Sequence, residues 1–164
     1  MQETIEMHGQ LMIQLTDRDG RLVEEHRHRN LIVKSGRDLV AKLFAGVSGG
    51  TPPTRVTHMA VGDDPTPPAD SQQALVKERT PRKPIAAVSY SEFDEATAGG
   101  SVRRVKATLK TVFDFAEANN PAVPLQEAGV FNAAAGGVMY NRVVFKPVTK
   151  TEAFQLTLLW DITF

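Results

Sequence analysis

The chain has 164 residues, about the length of one domain. Its 19 basic and 19 acidic residues cancel to zero net charge, which argues against a nucleic-acid binder held by a general phosphate field and suits a subunit that lives in an assembly. It has no cysteine, which excludes disulfide scaffolds, thiolate zinc sites and a cysteine nucleophile.

The start, Met1-Gln2-Glu3-Thr4-Ile5-Glu6, has neither the basic opening nor the apolar run of a secretory signal. No stretch approaches the ~18 apolar residues of a membrane helix. The expectation is a soluble protein made in the cytoplasm, with no membrane partner. Leu11, Ile13 and Leu15 alternate with Met12, Gln14 and Thr16, the period of a strand with one buried face. Asp17-Arg18-Asp19-Gly20 is a turn signal, with Gly20 free to take positive φ. The polar segment Arg21 to Asn30 then reads as an edge strand pairing back, its charges discouraging unwanted strand addition.

Ser35-Gly36-Arg37-Asp38 precedes Leu39, Val40, Leu43 and Phe44, which form one helical stripe. Ser35 and Asp38 have capping-box spacing, and Gly46 stands where a helix closes. The spacing predicts one short helix over about residues 35–45. Val47 to Pro53 is a linker, and Val56 to Gly62 reads as a buried strand ending at a glycine. Asp63 to Asp70 holds three prolines and is read as a surface loop. Gln72 to Glu78 is read as a turn of helix, Ile85 to Tyr90 as a strand, and Glu92 to Gly100 as a hairpin-like excursion.

Two long strands dominate the second half. From Val105 onward, Ala107, Leu109, Thr111, Phe113 and Phe115 share one face. At the C-terminus, Phe154, Leu156, Leu158, Trp160, Ile162 and Phe164 keep step, which predicts a strand central to a sheet. Between them lie Leu125 to Phe131, a turn at Ala133 to Gly137, and a strand over Val138 to Phe145. Mostly strands, one helix and closely spaced turns predict a mainly β protein, a β-sandwich or a partly open barrel.

Few constellations carry chemistry. His26 and His28 point the same way on a strand, a metal pair only if His58 or His8 completes it. Asp63, Asp64 and Asp70 offer oxygen donors without the spacing of a known calcium loop. Lys77, Arg79, Arg82 and Lys83 form a basic run, answered in sequence by Glu92, Asp94 and Glu95, and read as a solvated face or a subunit contact. Ser35 with His58 and an acid has no nucleophile elbow around it, and no pair of carboxylates sits in an apolar setting, so an enzyme is not expected. No cofactor is called for. Gly129 inside a strand pattern marks a bulge or a close backbone approach, for packing or for an interface. Trp160 is read as core.

Three segments taken together carry a resemblance: Asn30 to Leu39, Thr57-His58-Met59-Ala60-Val61-Gly62-Asp63, and Leu125-Gln126-Glu127-Ala128-Gly129-Val130-Phe131-Asn132. In order and spacing the chain resembles the N-terminal domain of phage tail-collar fibre proteins and related small tail proteins. Gln73-Ala74-Leu75-Val76-Lys77-Glu78-Arg79 stands where that family has a further motif. The positions that match are Ser35, Gly36, Asp38, Thr57, His58, Gly62, Asp63, Glu127, Gly129 and Phe131, none of them catalytic. The resemblance covers residues 30–164 and implies a β-rich tail-collar-like domain there. Residues 1–29 form an N-terminal hairpin or arm outside it, a candidate interface element able to add a strand to a neighbour's sheet.

Fibre proteins continue into a shaft and a receptor-binding tip, whereas this chain ends at Phe164, so host recognition is not carried over. The resemblance implies a structural virion protein, a tail, collar or baseplate adaptor. Its partners would be copies of itself and neighbouring phage tail, baseplate or fibre proteins. The alternatives are a head decoration or neck protein, and a metal- or carbohydrate-binding module.

Overall fold

The computed structural model describes residues 6–164; the first five residues of the expected arm lie outside the described residues. Ten strands and one helix follow in chain order. They are β1 (His8–Thr16), β2 (Leu22–Arg29), β3 (Leu31–Ile32), α1 (Lys34–Ala45), β4 (His58–Gly62), β5 (Lys83–Pro84), β6 (Ala87–Thr97), β7 (Gly100–Phe113), β8 (Leu125–Phe131), β9 (Met139–Val148) and β10 (Gln155–Thr163). They form two antiparallel five-stranded sheets, ordered β2-β1-β10-β7-β6 and β3-β9-β8-β4-β5. The sheets stack as a sandwich and do not close into a barrel.

The alternating strands meet where their patterns require. In the first sheet β10 is the middle strand, as its apolar alternation predicts. Leu11 and Leu109 flank Trp160, Ile13 and Thr111 flank Leu158, and Leu15 and Phe113 flank Leu156. These rows face Met59, Val61, Ala128, Val130 and Val143 of the second sheet in one continuous core. Burying each large apolar side chain contributes roughly 1.5–3 kcal/mol, which is what holds the layers together. Trp160 is fully buried, and its Nε1 donates to Asn30 Oδ1 at 3.0 Å, so the indole N–H is not stranded.

The first hairpin is part of this core. β1 lies between β2 and β10, and its Leu11, Ile13 and Leu15 are buried. Its turn is held by Asp17 Oδ1, which accepts from the N–H groups of Asp19 and Arg21, both at 2.9 Å, while Gly20 takes φ 78°. β2 forms an edge, as its charges predict.

Three local expectations change. The helix begins one residue earlier than its cap signal, at Lys34, and Val33 stands at the cap without a side-chain bond. Ser35 Oγ instead donates to the Met139 carbonyl at 2.7 Å, and Asp38 accepts from Lys34 Nζ at 2.6 Å. A tertiary bond to β9 thus replaces the capping box. Residues 72–78 form no helix; they run as irregular chain across the second sheet. The strand expected over 85–90 runs on through the first part of the excursion as one long strand, β6, which turns at residues 98–99 into β7 and pairs with it from Ala87↔Lys110 to Thr97↔Gly100.

Candidate functional site

Four of the residues that carry the resemblance, Gly62, Glu127, Gly129 and Phe131, lie together on the outer face of the second sheet. Alternation sends Ala128 and Val130 of β8 into the main core and leaves Glu127, Gly129 and Phe131 on the opposite face. Segment 63–79 folds over that face. Leu75 comes down beside Ala60, Phe131 and Met139 to form a second, small apolar cluster.

Glu127 is the centre of this cover and is fully buried. One carboxylate oxygen accepts from the Lys77 N–H at 2.7 Å, and the other from the Val76 N–H at 3.1 Å and from Arg142 Nε at 2.8 Å. Arg142 Nη2 lies 2.8 Å from that second oxygen, and both side chains are wholly inaccessible. Arg142 Nη1 reaches across to the Thr66 carbonyl at 2.8 Å and to Gln72 Oε1 at 3.2 Å. A buried carboxylate and a buried guanidinium therefore hold segment 63–79 at Thr66, at Gln72 and at residues 76–77. Burial of charge on this scale is tolerable only because each group is paired and hydrogen-bonded.

The flanking motif residues complete the clasp. Asp63 is buried and forms ion pairs with Arg79 and, at 3.7 Å, with Lys77. The Arg79 N–H donates to the Val61 carbonyl at 3.0 Å, which lays 77–79 along the end of β4. A Cβ on Gly62 would overlap the Lys77 carbonyl and the Glu127 carboxylate, and one on Gly129 would touch Leu75 and the Asn141 carbonyl. Gly129 is thus a close approach; the two bulges of β8 lie to either side of it. Gly36 plays the same part for the helix, its Cα standing against the Tyr140 carbonyl. Thr57 donates its N–H to the Phe131 carbonyl at 2.8 Å, and its hydroxyl bonds His58 Nδ1 at 2.8 Å.

The basic run is committed locally, and not to Glu92, Asp94 and Glu95. Lys77 and Arg79 serve Asp63, Lys83 pairs with Glu117, and Arg82 pairs with Glu78. Arg82 also stacks 3.5 Å from the centre of the Phe131 ring and donates to the carbonyls of Ala133 and Gly136, which fixes the β8–β9 turn. Glu92 and Asp94 pair with Arg103, and Glu95 with Arg104.

The candidate metal donors are likewise dispersed. His26 bonds Glu24, the His28 ring lies 6.1 Å from that of Phe145, and His58 is in the other sheet. Burial, then the neighbouring His26 and Lys146, pushes the His28 imidazole below its ordinary value. Asp70 is bonded to Arg37, which lowers its pKa, and the Thr66 bond lowers that of Asp64. Among the described residues no group of three His, Asp or Glu side chains is placed to hold a metal ion.

Sequence reasoning passed over two buried cations. Arg142 was marked only by being charged within the apolar run of β9. Lys150 is fully buried, its Nζ donating to Asn119 Oδ1 at 2.8 Å and to the carbonyls of Asp114 and Thr151, each at 3.0 Å. Burial lowers its pKa, and only partly do Glu117 and Asp114 oppose the shift.

A second region is left open. The apolar stripe of α1 does not bury as a unit: Leu39 is buried, Leu43 is half exposed and Phe44 is 93% exposed. Between α1 and the inner face of β6, β7 and β10 lies a groove of about 270 Å³, lined by Val40, Leu43, Val88, Tyr90, Ala107 and Phe164 among others. Tyr90 is 75% exposed on its wall. Here the inner face of the first sheet runs past the cover supplied by the second. The Tyr140 side chain also reaches this groove; burial pushes its hydroxyl up to about 12. No protein-family model, curated protein or solved structure matches the chain.

Proposed function

We propose that this chain is a structural subunit of a tailed phage or phage-tail-like particle, an adaptor of the tail, collar or baseplate that acts through contacts with neighbouring proteins. The observation that carries the reading is the uncovered apolar surface at the open end of the sandwich. Leu43 of α1, Val88 and Tyr90 of β6, and Phe164 after β10 are exposed along the groove, and Phe44, next to Leu43 on α1, is 93% exposed. A contiguous apolar patch of this kind marks a contact site, whereas scattered apolar residues do not. Zero net charge supports the same reading, since no self-repulsion opposes assembly. The phage assignment is supported by the resemblance, four of whose residues, Gly62, Asp63, Glu127 and Gly129, belong to the clasp over the second sheet.

Antibody against the chain, applied to particles purified from the strain that encodes it, tests the reading by electron microscopy. Labelling at the tail, collar or baseplate is the expected result. Labelling confined to the head makes it a decoration protein. A chain missing from the particles, and monomeric in light scattering at every concentration tried, overturns the proposal. Where association is seen, changing Phe44 and Leu43 to serine is expected to weaken it without altering the circular dichroism.

A further inference from the structure

The sheet edge beside the open groove has a chemistry of its own. β6 is the outer strand of its sheet, and among the described residues no strand lies on its far side. The β7 pairings place Val88, Tyr90, Glu92 and Asp94 in a row on the inner face, opposite Leu109, Ala107, Val105 and Arg103. Along this edge the chain is apolar first and acidic after, and from Ala87 to Thr97 it contains no basic residue. The counter-charges, Arg103 and Arg104, sit one strand further in, on β7.

The outer half of this hairpin also lacks support. β10 pairs with β7 only from Lys106 onward, with a further backbone bond pair between Val105 and Phe164. Beyond that point residues 92–104 form a two-stranded ribbon, an arrangement of marginal stability in water until a third strand joins it. The opposite edge differs. β2 mixes Glu24, Glu25, Arg27 and Arg29 along its length, the pattern that blunts an edge.

A second copy is a poor occupant. In any antiparallel pairing of β6 with itself, Glu92, Asp94 and Glu95 meet either one another or the apolar half, because the strand offers no cation to receive them. We propose that the β6 edge receives an extended segment of a different protein as an added strand. That segment carries Lys or Arg at the alternate positions facing Glu92 and Asp94, and apolar side chains at those facing Tyr90 and Val88. Main-chain bonds supply the attachment and the alternate side chains the selectivity. The inference rests on reading the chain as an assembly subunit, and it names the kind of partner.

The test uses the whole chain and two capped peptides, Lys-Thr-Lys-Thr-Val-Thr-Val-Thr and its twin with Glu in place of Lys. An antiparallel approach aligns the first peptide with Asp94, Glu92, Tyr90 and Val88 in turn. The basic peptide is expected to slow amide exchange over residues 87–97 and to bind about tenfold more tightly than the acidic twin, the effect of two cross-strand charge pairs turned from attraction to repulsion. The double change Glu92→Lys and Asp94→Lys lies on exposed side chains and is expected to invert that order with the circular dichroism intact. Equal binding of both peptides, no slowing at 87–97, or slowing at β2 instead overturns the proposal. So does a dimer of the chain alone in which the amides of residues 87–97 exchange slowly, since a second copy would then hold the edge. If the peptides fail while antibody still labels the particle, the edge assignment falls and the structural reading stands. If the chain is missing from particles while the peptides bind as described, the structural reading falls instead.

Discussion

Glu127→Gln tests the clasp most directly. The amide keeps the shape of the side chain but removes its charge, leaving Arg142 buried with no counter-ion. Its NH2 group must also face one of three donors, the Val76 N–H, the Lys77 N–H or the Arg142 guanidinium, which are left with a single acceptor oxygen between them. Removing one partner of a buried ion pair costs about 3–5 kcal/mol. Against the ~5–15 kcal/mol that separates folded from unfolded domains, this is a large fraction. At roughly 2–4 °C per kcal/mol it lowers Tm by about 6–20 °C. Urea unfolding followed by the fluorescence of the single tryptophan, buried Trp160, measures it. Amide exchange at Val76 and Lys77 should quicken before the rest of the fold opens. Changing both Glu127 and Arg142 to Met removes the stranded charge, so the double variant is expected to cost less than the sum of the single ones by at least ~1 kcal/mol. A cost for Glu127→Gln under ~1 kcal/mol, or strict additivity of the two Met variants, refutes the account of the clasp.

Gly36→Ala drives a methyl group into the Tyr140 carbonyl, which is backbone and cannot turn aside; a loss of about 1–3 kcal/mol is expected in thermal unfolding. Gly99→Ala, at a turn with open space around it, is the control and should stay within ~0.5 kcal/mol of the parent. His28 has a folded pKa below its ordinary 6.5 because burial, His26 and Lys146 disfavour the cation. The unfolded chain therefore binds the proton first, so the contribution of His28 is fully present above about pH 6.5 and is lost as pH falls below that value. Urea midpoints measured from ~pH 8 to ~pH 5 should fall less steeply for His28→Gln than for the parent; parallel slopes would show that His28 is not the group responsible.

Much of the fold was legible in the chain itself, because strand periodicity is a local property. The alternation of Leu11 to Leu15 and of Leu156 to Ile162 fixed which faces turn inward, and six apolar residues in step marked β10 as a central strand before any partner was known. The turn at Asp17 to Gly20 and the helix end at Gly46 were likewise written in residues that act over one turn of chain. Ser35 and Asp38 were misleading for the same reason. Their spacing specifies a local cap, but a carbonyl of β9, more than a hundred residues away in sequence, offered the serine a competing bond. Glu127 and Arg142 show the limit most clearly. A charge within an apolar strand does not say what it will meet, and the two side chains become a pair only when β8 and β9 align and the proline loop folds over them. The open apolar end is tertiary in the same sense. Leu43 and Phe44 belong to one stripe with Leu39, yet the second sheet stops short of them. How far one layer extends over another depends on the length and register of strands distant in sequence, which no local pattern encodes.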